Sequence, residues 1–248
     1  MGDGSAVAGL TAVLSNLYYV SQDGSCLIWY TTGRVMVVVT VVPIYRLMHI
    51  DNLPVCFRRG GMHAPNHTPS DGLQYRTIHN VDIQHERSLR PIPCGQQGTV
   101  HDYVSFYFGV LSPMLLQLCT GRVDGYDEGP SPLVYAVSSV QAVIAARLHF
   151  VFSDGQGIAA YTDWYDKASD LKNNVDWNVV SAKYWACTVD DPDRQRRKQA
   201  EFLVHRFVPW RLVQEIGVLD SEAQTRVEAM CRNYAIRTLV RVRRQWYY

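Results

Sequence analysis

The sequence predicts an α+β fold. Its recognisable strands are short β-branched or aromatic runs, and they do not alternate regularly with helical segments as a doubly wound sheet requires. No internal repeat is present, and 248 residues suit one domain.

Residues 1–35 differ in character from the rest. MGDGSAVAGL and SQDGSC are small and Gly/Ser-rich, and their apolar residues hold no sustained period. These residues read as an N-terminal extension, non-native or disordered, with Met36 as the functional start of a domain at 36–248. An ordinary helix over 10–19 is the alternative. Met36 opens MVVVTVVPIYRLMHI, a β-branched run that reads as a strand. DNLPVCFRRGG after it reads as a short helix ended by Gly60 and Gly61. Residues 62–98, rich in Pro, His, Asn and Gly, should be mostly loop.

HDYVSFYFG is a strand, with Val104, Phe106 and Phe108 alternating with Tyr103, Ser105 and Tyr107. LVYAVSSV and LHFVFSD are two more, flanking a short helical piece at 141–146. Residues 155–191 are aromatic and polar and hold Trp164, Tyr165, Trp177, Tyr184 and Trp185. Asp191-Pro192 signals a helix start. That helix is predicted to run through Glu201 to Pro209 with Ala200, Leu203, Val204 and Phe207 as its apolar stripe. A second helix starts at Ser221, where Ser221 and Gln224 have capping-box spacing. In RTLVRVRRQWYY, Arg241 and Arg243 alternate with Val240 and Val242, which suits an edge strand with an exposed arginine face.

Composition excludes some functions. A net charge of +1 does not recruit nucleic acid by itself, so any such site must be local. Two basic patches qualify, 194–198 and Arg237 with Arg241, Arg243 and Arg244. The 6 cysteines are scattered without a C-x-x-C pair, which suits free thiols in a reducing cytosol. The longest apolar run, 35–44, is short of a membrane span of about 20 residues and contains Pro43. No charged stretch followed by an apolar segment opens the chain. The chain therefore reads as cytoplasmic, with no membrane partner.

Motifs exclude more. His63 and His67 are separated by Pro65, and no H-E-x-x-H glutamate accompanies them, so no metal is expected. Neither G-x-x-x-x-G-K-[ST] nor G-x-G-x-x-G occurs, and Gly155-x-Gly157 lacks the required third glycine. No serine has a G-x-S-x-G setting. What remains is polar residues set against strands or helices, in YRLMHIDNLP, in DIQHERS with PIPCGQQGTVHDYVSFYFG and SPM, in FVFSD and in RRKQAEFLV. On the residues alone, Glu201 with Arg197 four positions earlier reads as a solvated helix pair worth about 0.2–0.5 kcal/mol. His49 alone reads as a core histidine, and Arg87 as a solvated loop arginine.

As a set, those segments resemble the DarT family, DNA ADP-ribosyltransferase toxins of DarT–DarG toxin–antitoxin pairs. The resemblance spans about 43–248. GTVHDYVSFYF followed by SPM carries it most specifically, although Ser105 stands where proline is common; DDPDRQRRKQAEFLV and the closing QWYY also fit. It implies an ADP-ribosyltransferase fold, with split mixed and antiparallel sheets forming an NAD cleft between flanking helices. It further implies Glu201 and Arg87 as catalytic residues, and His49, Asn52, Tyr107 and Met114 as NAD contacts. Residues 155–198 would read single-stranded DNA, through Arg194, Arg197 and Lys198, with Trp164 and Tyr165 available for base stacking, as Trp185 is. The co-substrate would be NAD, the acceptor thymidine, and the partner a DarG-like macrodomain antitoxin. Another acceptor (guanine, RNA or protein), NAD hydrolysis, or a nucleic-acid-binding module without chemistry are the competing readings.

Overall fold

The β-branched run that opens at Met36 folds as two strands divided at Val42. The computed structural model describes residues 19–20, 26–32 and 35–248, and side chains from Val41 onward. Strands β1 (Tyr19–Val20), β2 (Cys26–Thr32) and β3 (Val35–Val41) form an antiparallel three-stranded sheet. A helix over 10–19 falls on residues outside the described ones up to Tyr19, which begins β1. Strand β4 (Pro43–His49) enters the main sheet, with Pro43 tolerated at its first position.

Helix α1 (Leu53–Arg58) follows, with Pro54 in its first turn, and Gly60 stops it at φ +67°, a left-handed conformation that glycine adopts without strain. Residues 62–98 hold more structure than the loop expected of them. Gly61–His63 is strand β5, and Val81–Leu89 is helix α2, started by the Asn80 side chain, which accepts from the Asp82 and Ile83 amides. No residue of α2 is buried, and Val81 and Leu89 are 75% and 66% exposed. A helix without an apolar stripe leaves no period to read.

Strand β6 (Tyr103–Tyr107) precedes α3 (Pro113–Cys119), capped by Ser112. Then come β7 (Leu133–Ser139), α4 (Val140–Ala145), β8 (Phe150–Ser153) and β9 (Trp164–Tyr165). Short helices α5 (Leu171–Asn174), α6 (Trp177–Ser181) and α7 (Arg194–Lys198) lead to β10 (Glu201–His205) and β11 (Phe207–Pro209). Strand β12 (Glu215–Val218), helix α8 (Ser221–Asn233) and β13 (Leu239–Val242) complete the chain.

The expected helix from Asp191 through Glu201 is therefore wrong in its second half. It ends at Lys198, and Glu201 opens a strand. Phe202, Leu203 and Val204 are all buried because this interior strand is covered on both faces. Such a continuous apolar run has no period-2 signal and can be read as a helix stripe. The cap of α8 also differs: Asp220, one residue earlier than expected, accepts from the Ala223 amide, while Gln224 bonds Glu228 and the Val240 carbonyl.

The main sheet has eight strands in the order β13-β12-β7-β4-β6-β10-β8-β9. Every pairing is antiparallel except β12 with the edge strand β13. Arg241 of β13 and Arg243, which follows it, are not the exposed face expected. Arg243 pairs with buried Glu215 through Nε–Oε1 at 2.6 Å and Nη2–Oε2 at 2.8 Å, and Arg241 approaches the same carboxylate at 3.9 Å. One face of the sheet packs on α1 and α8, bringing Ile44, Phe106 and Phe202 against Phe57 and Val227. On the other face, Leu47 and Tyr135 pack with Leu115 and Tyr247, and Tyr103 packs separately with Val151 and Leu203. Cys56, Cys94, Cys119, Cys187 and Cys231 are free thiols. Among the described residues no helix is long and apolar enough to cross a membrane.

Candidate active site

The two halves of the sheet meet at one point. Strand β4 pairs with β7 along its whole length, and β6 pairs with β10 along its whole length. Between β4 and β6 the register holds a single pair, Tyr45 with Tyr107. Beyond that pair a cavity of about 480 Å³ opens, lined from both faces of the sheet, by Met48 and Cys56 as well as by Tyr107 and Glu201. Arg46 reaches across the gap, where its Nη1 donates to the Ser105 carbonyl at 2.8 Å and supplies a bond that no ladder provides there.

Alternation along β6 and β10 decides what faces this cavity. Phe106, Phe202 and Val204 go to the core, while Ser105, Tyr107 and Glu201 share the opposite face, with Tyr107 directly paired to Glu201. The Glu201 carboxylate is 2% exposed and receives three N–H groups. Arg87 grips it in bidentate fashion, Nη1 to Oε1 at 2.9 Å and Nη2 to Oε2 at 2.7 Å, and the Gly157 amide donates to Oε1 at 3.1 Å. Arg87 Nη2 also donates to Ser105 Oγ at 2.8 Å. The Glu201 backbone amide donates to Ser153 Oγ at 3.2 Å, tying the acid to the end of β8. Gly157 approaches the acid closely: a Cβ there would lie 3.1 Å from Glu201 Oε1 and 3.3 Å from the Trp164 ring, so the neighbours would have to give by a few tenths of an ångström.

The electrostatics follow from this packing. Burial alone would lower the Arg87 pKa, but the charge and hydrogen bonds of Glu201 outweigh it and raise it further, so Arg87 stays cationic. Burial, reinforced by the Glu201 charge, pushes the Tyr107 phenol up to about 12, so it stays neutral. Among the described residues no group of His, Cys, Asp and Glu is placed to hold a metal ion.

The structure thus brings Glu201, Arg87, Tyr107, Met114 and Asn52 to one cavity. It does not bring His49 to the cavity wall. His49 is buried beneath a clasp, in which Arg76 Nη1 donates to Asp51 at 2.9 Å and Nη2 to Glu128, while the Asn52 side chain accepts from the Arg76 amide at 2.6 Å and donates to its carbonyl at 2.9 Å. His49 Nδ1 accepts from the Asp51 amide at 3.1 Å, and its Nε2 lies 3.6 Å from Glu128 Oε2. Burial lowers its pKa despite these acidic neighbours, so the ring is neutral near pH 7.

The basic run is largely internal. Lys198 is buried, and its ammonium donates to the Val180 and Ala182 carbonyls at 2.6 and 2.7 Å. Arg197 pairs with Asp176, Asp191 and Asp193. Arg194 donates to the Tyr184 carbonyl at 3.1 Å. Tyr165 stacks on Phe152 with centroids 5.0 Å apart, and Trp185 Nε1 donates to the Tyr248 hydroxyl at 2.6 Å. Trp164 keeps a buried Nε1 without a partner.

Sequence reasoning missed Arg46, Ser105, His79, Gly157 and Arg196. Arg46 was visible as a charge on the strand face that carries Ile44 and Met48. Gly155-x-Gly157 was visible too, but only as a failed phosphate loop. Arg196 clamps that loop, with Asp154 at 2.8 and 3.0 Å and Asp193 at 2.7 and 2.8 Å, and a Cβ on Gly155 would meet its Nη1 at 2.3 Å.

A family model described as "DarT: ssDNA thymidine ADP-ribosyltransferase, DarT" matches residues 45–248. A DNA ADP-ribosyl transferase of Thermus sp. (strain 2.9) is 38% identical over 208 residues, covering 83% of this chain and 96% of that protein. The solved structure of Thermus sp. 2.9 DarT in complex with ADP-ribosylated ssDNA matches with a TM-score of 0.78 at 36% identity, covering 84% of this chain and 96% of that one. The same protein in complex with NAD+ matches with a TM-score of 0.75 at 35% identity, covering 84% and 98%. A DNA ADP-ribosyl transferase–DNA ADP-ribosyl glycohydrolase fusion protein of Thermosipho africanus is 26% identical over 194 residues, covering 77% of this chain and 46% of the fusion.

Proposed function

Because the chain belongs to the DarT family of single-stranded DNA ADP-ribosyltransferases, we propose that Glu201 and Arg87 carry the transfer of ADP-ribose from NAD to thymine. The chain is an NAD-dependent DNA ADP-ribosyltransferase. The observation that supports these residue roles is the bidentate Arg87–Glu201 pair at the gap in the sheet.

In the reaction the bond between ribose C1 and the nicotinamide nitrogen breaks, and its electron pair leaves with nicotinamide. The ribose carbon becomes positive, and Glu201 stabilises that developing charge. Oε2 receives one hydrogen bond from Arg87, which leaves it acceptor capacity for a ribose hydroxyl. Arg87, fixed as a cation, and the Gly157 amide orient the carboxylate. Thymine N3 then forms a bond to the same carbon as it loses its proton, which Glu201 is placed to accept. Asn52, Tyr107 and Met114 line the wall against which NAD packs, and opening of the Arg76 clasp gives NAD access to His49.

Single-stranded DNA is read by residues 155–198, with Arg194 and Trp164 as contacts. Lys198, held by two carbonyls, supports α7 instead, and Arg197 is engaged by its aspartates. The family match begins at Tyr45, which supports a transferase domain preceded by an extension, although a boundary at 36 falls inside β3 (Val35–Val41). In the cytosol such an activity is toxic unless reversed. The Thermosipho fusion, which joins a transferase to a glycohydrolase, supports a macrodomain antitoxin as partner.

The test is mass spectrometry of short thymidine-containing oligonucleotides incubated with NAD and wild type or Glu201→Ala. One ADP-ribose added per strand, and lost in the variant, is expected. An adduct on strands without thymidine refutes the choice of base, and free ADP-ribose alone refutes transfer. Full activity in Glu201→Ala refutes the assigned acid.

A further inference from the structure

The cavity at the gap holds more positive than negative charge. Arg87 is matched by Glu201, but Arg46, half-buried in the cavity wall, has no carboxylate partner among the described residues. Its one hydrogen bond is from Nη1 to the Ser105 carbonyl, so the remaining N–H groups of the guanidinium have no acceptor there. The two guanidiniums flank the same residue, since Arg87 bonds Ser105 Oγ and Arg46 bonds Ser105 O. His79 and His101 line the same cavity. Burial, then the charges of Arg46, His101 and Arg87, pull His79 down to about 4. A neutral His79 adds no charge, and no acid offsets Arg46. An uncompensated cation in such a place is costly and is retained where a ligand brings the opposite charge.

Resting on the assignment of NAD as co-substrate, we propose that Arg46 is a phosphate-binding residue of the active site, holding an oxyanion of the NAD pyrophosphate. The pyrophosphate is the anionic part of NAD, and position supports the match. Ser105 and Tyr107 are next neighbours on one face of β6, about 7 Å apart along the strand, and Tyr107 pairs with Glu201. Glu201 marks the reacting ribose carbon. Arg46, from the opposite face of β4, reaches through the gap to the Ser105 carbonyl, one such step from Tyr107.

The experiment compares ligands with and without the pyrophosphate. ADP-ribose carries it, and nicotinamide riboside does not. Calorimetric titration of wild type and Arg46→Met is expected to show ADP-ribose binding weakened about 10- to 100-fold in the variant, as for loss of a charge-assisted hydrogen bond. Nicotinamide riboside should bind both alike. Equal weakening for both ligands, or none for ADP-ribose, overturns the proposal. Weakened binding of an oligothymidylate with ADP-ribose binding intact also overturns it and assigns Arg46 to a DNA phosphate. The wild type provides a test independent of whether Arg46→Met folds: inorganic pyrophosphate should displace ADP-ribose and leave nicotinamide riboside binding unchanged, and failure to displace overturns the proposal. ADP-ribose that does not bind the wild type at all refutes the NAD assignment itself, a different failure.

Discussion

Arg87→Met leaves the Glu201 carboxylate, 2% exposed, with the Gly157 amide as its remaining side-chain partner. Glu201→Gln leaves the Arg87 side chain, 11% exposed, facing a neutral amide. Removing one partner of a buried ion pair costs about 3–5 kcal/mol, because the other charge stays desolvated. Both groups here line a cavity that water can enter, so about 3 kcal/mol is expected for each single variant. The double variant removes both charges and should be destabilised by less than the sum, with an interaction energy of about 2–3 kcal/mol. Urea unfolding of wild type, both single variants and the double variant measures this directly. Each single substitution should also lower kcat by about 10²–10³, and the double by no more, since groups that act as a unit are not additive. An interaction energy below about 0.5 kcal/mol refutes the reasoning, because the pair would then not be formed in solution.

Three further outcomes follow from other contacts. Gly157→Ala places a methyl 3.1 Å from Glu201 Oε1 and should lower kcat about tenfold or more, with little change in ADP-ribose affinity; unchanged turnover measured at saturating NAD counts against the Gly157 contact. Burial lowers the Lys198 ammonium to about 8, against about 10.4 in an unfolded chain. The unfolded chain then binds more protons between those values, so this contribution is fully present above about 10.4 and is lost as pH falls through about 8. The stability of wild type relative to Lys198→Met should therefore rise from pH 7 to 10 in urea melts, and a flat difference overturns the assignment. Arg194→Ala should reduce the salt slope of oligonucleotide binding by about 0.7, whereas Lys198→Met should leave it unchanged; anisotropy titrations across ionic strength distinguish the two.

The site was more legible in the sequence than the elements that carry it. Glu201 and Arg87 were both visible through short motifs, yet each was placed on the wrong scaffold, the acid on a helix and the arginine in a loop. Both errors have one physical source. Periodicity reports a boundary between core and solvent, and neither element has one: β10 is buried on both faces, and α2 buries nothing. Where such a boundary exists, as in β6 and α8, the reading held, with only the cap of α8 displaced by one residue. The roles of Arg46, Arg196 and Gly157 depend on partners 59, 42 and 44 positions away, and no local pattern encodes those.

The mismatch between those two scaffolds gives the Arg87–Glu201 pair unequal anchorage. Glu201 belongs to a strand hydrogen-bonded to β6 on one side and β8 on the other, whereas Arg87 rides on a helix with no buried residue. Amide protons of β10 should exchange with solvent only when the whole domain unfolds, and those of α2 through a local opening of much lower free energy. The bidentate contact is thus a joint between a slow and a fast part of the molecule. A ligand that takes over either side of it will be seen in the exchange of α2 long before it is seen anywhere in the sheet.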